Sequence, residues 1–245
     1  MTISSTLDGA QKVWRYFDFS RFVWLVQKKR LWLARVDTLD DPWESALAGD
    51  QLAHVISRHP IPRLSSASSR ESAIDRATRI TTLWRQTTFV NCWSASDHES
   101  HALWRIFCGK QGVAIQTTVE KLQASLGGLR LHRITYETPG AAKRTPERLD
   151  LVTKKRPMFD YEREVRIVLE KQDFENGVLG HEVDWDLEKH VEFIRVHPEA
   201  DNSFLETVSS VVDDYAPALK GRVAWSAMKE PPPLAAMTPG VAASR

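Results

Sequence analysis

The sequence predicts an α+β fold in which a central mixed or antiparallel sheet is flanked by helices. Three observations favour this class: alternating apolar stretches typical of strands, amphipathic stretches typical of helices, and no strict strand–helix alternation. There is no internal repeat and no glycine-rich phosphate loop. The chain has 245 residues, of which 42% are hydrophobic, so it can bury a sizeable core.

Strands are predicted where short apolar runs are bounded by turn residues. The predicted strands are Lys12–Phe17, Leu31–Val36, Thr88–Ser94, Gly112–Thr117, Leu129–Tyr136, Tyr161–Leu169, Phe193–His197 and Val223–Ser226.

Helices are predicted where apolar residues recur at helical spacing behind a capping residue. The first follows Asp18 or Ser20. The second runs through Ile80, the third follows a capping box at Ser96, and the fourth follows Thr117. A second capping box at Ser203 predicts a last helix that reaches residue 215.

The domain prediction is a flexible N-terminus at residues 1–11, a single α+β domain at 12–228, and a disordered proline- and alanine-rich tail at 229–245. The segment 59–70, with its prolines and serines, is predicted to be a flexible loop.

Composition favours an intracellular protein. The net charge of +1 gives no global basic field for nucleic acid, although a local patch remains compatible with it. The two cysteines, Cys92 and Cys108, do not make a disulfide framework. With neither a signal-like start nor an apolar run of membrane-spanning length, the sequence predicts a cytoplasmic protein without membrane association.

The stretch Tyr161–Leu169 carries the strongest candidate catalytic residues. Alternation places Glu162, Glu164 and Arg166 on one face of the predicted strand, about 7 Å apart in succession. One interpretation is a solvent-facing charged stripe. The other is the floor of a cleft, where two carboxylates hold a hydroxyl and stabilise a developing cation while Arg166 limits their repulsion.

Two further patterns are candidate binding elements. The acidic turn at 40–44 contains Asp41, Trp43 and Glu44, which either cap a helix or present carboxylates and an aromatic ring to a cleft. Arg15 lies between Trp14 and Tyr16, where a guanidinium is either a surface group or a clamp for an anion such as phosphate.

A metal centre is not predicted. Cys92, His98, His101 and Cys108 include the usual ligand types, but seven residues separate His101 from Cys108 on the predicted helix. That spacing is about 10.5 Å along the axis, too far for one tetrahedral zinc ion.

Taken in order, several motifs resemble a widespread bacterial family of unknown function. The resemblance covers about residues 12–228 and departs from the family pattern at Asp40, Phe107 and His197. The matching segments are WRYF, LDDPWE, VNCWSA, LWRIF, Gly112-Val113, YEREVR and IRVHP.

A second resemblance, to ADP-ribosyltransferases of the arginine–serine–glutamate type, implies an activity on NAD. It rests on Trp14-Arg15, on Ser94 or Ser96, and on the segment Glu162-Arg163-Glu164-Val165, in that order. The resemblance implies that Arg15 contacts the pyrophosphate and Ser94 the nicotinamide-side ribose. Glu164 would bind the ribose 2′-hydroxyl and stabilise an oxocarbenium ion, and Glu162 would orient the acceptor.

The expected NAD-binding set is Arg15, Tyr16, Ser94, Trp104 and Arg166, with an aromatic ring stacked on nicotinamide. The sequence leaves open whether the acceptor is protein, nucleic acid or a small molecule, and it leaves the oligomeric state open.

Two alternatives stay open. One is a non-catalytic ligand- or partner-binding module of a bacterial defence or toxin system. The other is a metal-dependent nuclease or hydrolase that uses Asp41, Glu44 and Glu164. Against the second, no lysine adjoins Glu164 in the sequence, where Arg166 stands instead.

Overall fold

A computed structural model describes residues 7–39, 41, 73–138 and 147–229. Within these residues the strands are β1 Lys12–Asp18, β2 Arg30–Arg35, β3 Thr88–Ala95, β4 Gly112–Thr118, β5 Arg130–Arg133, β6 Thr135–Tyr136, β7 Lys154–Lys155, β8 Glu164–Glu170, β9 Gly180–Asp184, β10 Phe193–Val196 and β11 Val223–Trp225. The α-helices are α1 Phe19–Lys28, α2 Ala73–Thr87, α3 His101–Phe107, α4 Val119–Ala124, α5 Asp150–Thr153, α6 Leu187–His190 and α7 Asn202–Tyr215.

The predicted α+β class is confirmed. Nine strands form one sheet with the central order β11-β10-β4-β1-β3-β2-β9, and β8 and β5 branch from β3. The sheet is mixed because β10 and β11 run parallel while the other pairs in it are antiparallel. A separate parallel pair joins β6 to β7.

The sheet forks at β3. One edge of β3 pairs with β8 from Thr88 to Ser94. A strand has only two hydrogen-bonding edges, so β1 and β2 share the other edge. β1 pairs there with Ser94 and Ala95, and β2 pairs with Phe89 and Val90. The segment of β3 between these two contacts, residues 91–93, therefore faces a gap between β1 and β2.

Helices cover both faces of the sheet. The main core lies under α1, α4 and α7, where the sheet contributes side chains such as Val13, Trp93 and Ile167. The opposite face carries two smaller clusters, one around Trp14 and Trp104 and one around Val90 and Val168. Because side chains alternate along a strand, Ser94 and Glu164 project from this second face, in register with Trp14.

Helix starts follow side-chain capping, but two predicted capping boxes are wrong. Asp18 caps α1 as predicted, since its carboxylate accepts a hydrogen bond from the Arg21 amide. Helix α3 is capped by Ser100, because Ser96 is still tied to β1 through its own amide. Helix α7 is capped by Asp201, and the Ser203 hydroxyl donates to that carboxylate.

The predicted strand over Tyr161–Leu169 is wrong at its beginning. Residues Pro157–Glu162 form a 3₁₀-helix, and β8 begins only at Glu164. The interruption is Arg163, whose left-handed backbone (φ 46°, ψ 48°) ends the turn and reverses the chain direction. Strand β9 was not predicted. The loop at 59–70 and the tail from residue 230 lie outside the described residues.

No helix among the described residues is long and apolar enough to cross a membrane.

Replacing Gly180 with alanine should destabilise the protein. A Cβ at position 180 would lie 2.3 Å from the Trp32 ring and 2.6 Å from the Leu33 carbonyl oxygen, so strand β9 must shift. Overpacking of this kind costs about 1–3 kcal/mol of unfolding free energy, measurable by denaturant titration. Gly109→Ala is the matched control, because its Cβ would meet no atom within 4 Å. Equal stability of the two variants would contradict the packing described.

Candidate active site

The fork in the sheet opens into a cleft of about 830 Å³, a volume typical of small-molecule sites. Five of the residues predicted from sequence line it: Arg15, Tyr16, Ser94, Glu162 and Glu164. Its other polar and aromatic lining residues include Arg21, Trp24, Arg30, Trp32, Asn91, Cys92, Trp93 and Glu182. The fold therefore brings the three segments of the arginine, serine and glutamate pattern to one cavity.

Glu164 is fixed at the end of the cleft where β8 pairs with Ser94. Its backbone amide donates to the Tyr136 hydroxyl at 2.7 Å, and its carbonyl accepts from the Ile134 amide at 2.9 Å. Both carboxylate oxygens accept hydrogen bonds from Arg166, each at 2.8 Å. Bidentate pairing of this kind fixes the plane of the carboxylate.

The environment of Glu164 also keeps its carboxyl group ionised. Burial alone would raise the pKa of this carboxyl, but the Arg166 guanidinium outweighs burial, and Lys155 and Cys92 add to its effect. The pKa falls to about 2 as a result. Glu164 is therefore a carboxylate at any physiological pH, with 5% of its surface exposed.

Glu162 faces the same ammonium group as Glu164. Lys155 Nζ lies 2.6 Å from Glu162 Oε2 and 3.5 Å from Glu164 Oε2. Burial raises the pKa of Glu162, and the charge of Glu164 adds to this increase while Lys155 opposes it. The two carboxyls thus differ in proton affinity: Glu164 is the permanent anion and Glu162 is the stronger base.

The backbone at Arg163 makes this convergence possible. Consecutive strand residues at 162, 163 and 164 would place Glu162 and Glu164 side by side along β8. Instead, the left-handed Arg163 ends the 3₁₀-helix, and its carbonyl accepts from the Ala95 amide at 2.8 Å. Both carboxylates consequently reach Lys155. A left-handed conformation costs a residue with a Cβ about 1–2 kcal/mol, and such strain is concentrated at functional sites.

Arg15 lies in the gap of the fork. It follows Trp14, the last residue of β1 that pairs with β3, and its Nη1 donates to the Cys92 carbonyl at 2.9 Å. Burial lowers the pKa of the guanidinium to about 10, so it stays charged at neutral pH. The side chain places a cation in the cleft, beside the middle of β3 that has no strand partner on this edge.

Three predicted site residues do not line the cleft. Trp104 is fully buried under β1, where its ring meets the edge of Tyr16 and its Nε1 donates to Glu99. Arg166 is 1% exposed and lies behind Glu164, so it positions that carboxylate. Asp41 pairs with Arg156 at 3.1 Å. Trp43 and Glu44 lie outside the described residues.

Lys155, Trp24 and Trp32 were not predicted as site residues. No lysine adjoins Glu164 in the sequence, but β7 brings Lys155, nine residues upstream of Glu164, to both carboxylates. The high number of tryptophans in the sequence, nine, was the one feature that could have suggested aromatic rings such as Trp24 and Trp32 at a binding site. It did not identify which of them border a cavity.

The described residues contain no group of three or more histidine, cysteine, aspartate or glutamate side chains able to hold a metal ion. The two cysteines lie in different environments. Cys108 donates to the Phe17 carbonyl in the buried cluster with Trp14, and burial raises the pKa of its thiol to about 12. Cys92 borders the cleft beside Glu164.

No protein-family model matches the chain, and no curated protein matches it. Among solved structures, the chain is similar to Thermus sp. 2.9 DarT in complex with ADP-ribosylated ssDNA. The TM-score is 0.45 at 11% sequence identity, and the match covers 92% of this chain and 99% of that one.

Replacing Glu164 alone should destabilise the fold more than replacing the ion pair. In Glu164→Gln the buried guanidinium of Arg166 loses its counter-charge, which costs on the order of 3–5 kcal/mol of unfolding free energy. The double variant Glu164→Leu, Arg166→Met removes both buried charges and should recover a large part of that loss. Urea titrations of the two variants measure this. A double variant less stable than Glu164→Gln would contradict the pairing.

Proposed function

We propose that this protein cleaves the nicotinamide–ribose bond of NAD and transfers ADP-ribose to an acceptor. The observation that carries the proposal is the convergence of Arg15, Ser94, Glu162 and Glu164 on one cleft, which their separation in sequence does not require. Each residue then has a role that its position and charge support.

The reaction needs positioning and negative charge more than a strong acid or base. When the bond between ribose C1′ and the pyridinium nitrogen breaks, its electron pair goes to that nitrogen and neutral nicotinamide leaves. The positive charge passes to the ribose ring, as an oxocarbenium ion. A fixed anion beside C1′ stabilises this charge, and preorganised electrostatics of this kind are usually the largest catalytic contribution.

Glu164 is suited to that role because it stays ionised and cannot rotate. Arg166 and Lys155 balance the negative charges of Glu162 and Glu164. Both carboxylates line the cleft, and neither cation does. The carboxylates therefore lie closer to a ligand in the cleft than their counter-ions do. Coulomb energy falls with distance, so the two carboxylates act on a ligand beside Ser94 more strongly than Arg166 and Lys155 do.

Glu162 is suited to the second half of the reaction. The acceptor atom must form a bond to C1′ and give up a proton. Lys155 engages Glu162 through Oε2, and the raised pKa of the carboxyl makes it a better proton acceptor than Glu164. In this account Glu162 orients the acceptor and receives its proton.

Arg15 would bind the pyrophosphate. A guanidinium presents five donors in a plane, and Nη1 already donates to the Cys92 carbonyl. The guanidinium has further N–H donors besides Nη1, it carries a positive charge, and the residue lines the cleft. Such a clamp holds the substrate in register, so that C1′ meets Glu164.

A binding module is the second candidate, and one observation favours it. Arg166 engages both oxygens of Glu164, an arrangement also found where a carboxylate only supports a fold. In that case NAD binds in the cleft without turnover.

Incubation of the purified protein with NAD should release nicotinamide, measured by chromatography. Glu164→Gln should lower the rate about 100-fold or more, as loss of one electrostatic stabiliser does in other enzymes. Glu162→Gln should slow transfer to an acceptor. Arg15→Lys should chiefly raise KM, since a point charge replaces a planar clamp.

Glu199→Gln is the control. Among the described residues, the contact of the Glu199 carboxylate is an exposed ion pair with Arg105. Each variant needs a melting temperature, so that lost folding is not counted as lost chemistry. Undiminished release by a folded Glu164→Gln protein would overturn the assignment. A rise in melting temperature with NAD but no release would favour the binding module.

A further inference from the structure

We infer that the cleft contains a subsite for the adenine ring, formed by Trp32 with Trp24 at its edge. This inference rests on the proposed function for the identity of the ligand. It rests on its own observations for the position and the chemistry of the subsite.

Trp32 is an aromatic ring held in place while part of it stays exposed. It belongs to β2, where its neighbours Leu31 and Leu33 point into the core and the indole projects the other way. The side chain retains 41% exposure and borders the cleft. A large exposed aromatic ring beside a cavity is a common recognition element for flat ligands.

The ring is preorganised by two contacts to the indole and by one hydrogen bond to the Trp32 backbone. Gly180 on β9 lies against one part of the indole, where a Cβ would come within 2.3 Å of the ring. Trp24 on α1 meets it edge to face, with 6.4 Å between ring centroids and an 88° angle between planes. The Trp32 carbonyl accepts from the Asn91 side chain at 2.7 Å. A ligand that stacks on this ring therefore spends little entropy on ordering it.

The contacts along β3 set the distance that a dinucleotide would have to span. Ser94 pairs with Glu164, the Cys92 carbonyl binds Arg15, and the Asn91 side chain binds the Trp32 carbonyl. Trp32 precedes Ala34, the partner of Val90, so its backbone lies beside residues 91 and 92. From Ser94 to Asn91 the strand extends about 10 Å. A dinucleotide with its ribose at the carboxylates and its pyrophosphate at Arg15 can thus reach the Trp32 ring with its second base.

The two arginines beside the rings are both paired. Arg21 lies one helical turn before Trp24, and its Nε lies 3.3 Å from the Asp18 carboxylate in an exposed ion pair. Glu182 and Asp184 hold the guanidinium of Arg30. A neutral purine can therefore stack on Trp32 without a charge penalty from these two side chains.

Calorimetric titrations of the full chain with ADP and with nicotinamide mononucleotide test the subsite without any bond cleavage. ADP carries the adenine ring, whereas nicotinamide mononucleotide lacks it. Trp32→Ala should weaken ADP binding about tenfold, as loss of a base–aromatic stack does, and should leave nicotinamide mononucleotide binding unchanged. Trp32→Phe should retain most of the ADP affinity.

Phe193→Ala is the matched control, since Phe193 has a similar exposure of 43% but lies on β10 and does not line the cleft. It should bind ADP like the unmodified protein. Unchanged ADP affinity in Trp32→Ala, equal losses for both ligands, or no ADP binding by the unmodified protein would each overturn the subsite. Absence of nicotinamide release together with Trp32-dependent ADP binding would instead overturn the proposed reaction and leave the subsite standing.

Discussion

The cleft depends on a single constraint of hydrogen bonding, the sharing of one edge of β3 by two strands. Because β8 occupies the other edge along seven residues, β1 and β2 must divide what remains. Each takes only two residues. The middle of β3 is left without a strand on that side, and helix α1 bridges the two diverging strands. Arg15, Trp24 and Trp32 reach the gap because they lie on β1, α1 and β2, which form its walls.

The second constraint is electrostatic. Four charged side chains, Lys155, Glu162, Glu164 and Arg166, are largely buried in one cluster between the two small apolar groups on that face of the sheet. Desolvation of each ion costs several kcal/mol, which mutual attraction repays only with good geometry. An apolar cluster of the same volume would satisfy the fold at least as well. The charges are best explained by what they present to the cleft, which is a carboxylate surface backed by cations.

Much of the framework could be predicted from the sequence, because it depends on local patterns. Alternation located β1, β3, β4 and the body of β8, and the Asp18 cap located the start of α1. It also placed Glu164 and Arg166 on one face. It did not reveal that this face is buried, since an alternating charged stripe is equally compatible with solvent.

The remaining features depend on contacts distant in sequence. The Arg163 conformation removes Glu162 from the strand, and no pattern predicts a left-handed arginine. Lys155 meets the carboxylates only because β7 pairs with β6 beside the Tyr136 hydroxyl that binds Glu164. Trp104 looked like a site residue in sequence, yet it is core, whereas Trp32 became part of the cleft through the tertiary pairing of β2 with β9.

A crystal structure of the Glu162→Gln variant with NAD would show where each part of the dinucleotide binds, since this variant keeps the Glu164–Arg166 pair. We expect the nicotinamide ribose within hydrogen-bonding distance of Glu164, the pyrophosphate at Arg15 and the adenine against Trp32. NAD bound outside the fork of β3, or inside it with the adenine at the carboxylates, would show that the cleft is not an NAD-cleaving site of the kind proposed.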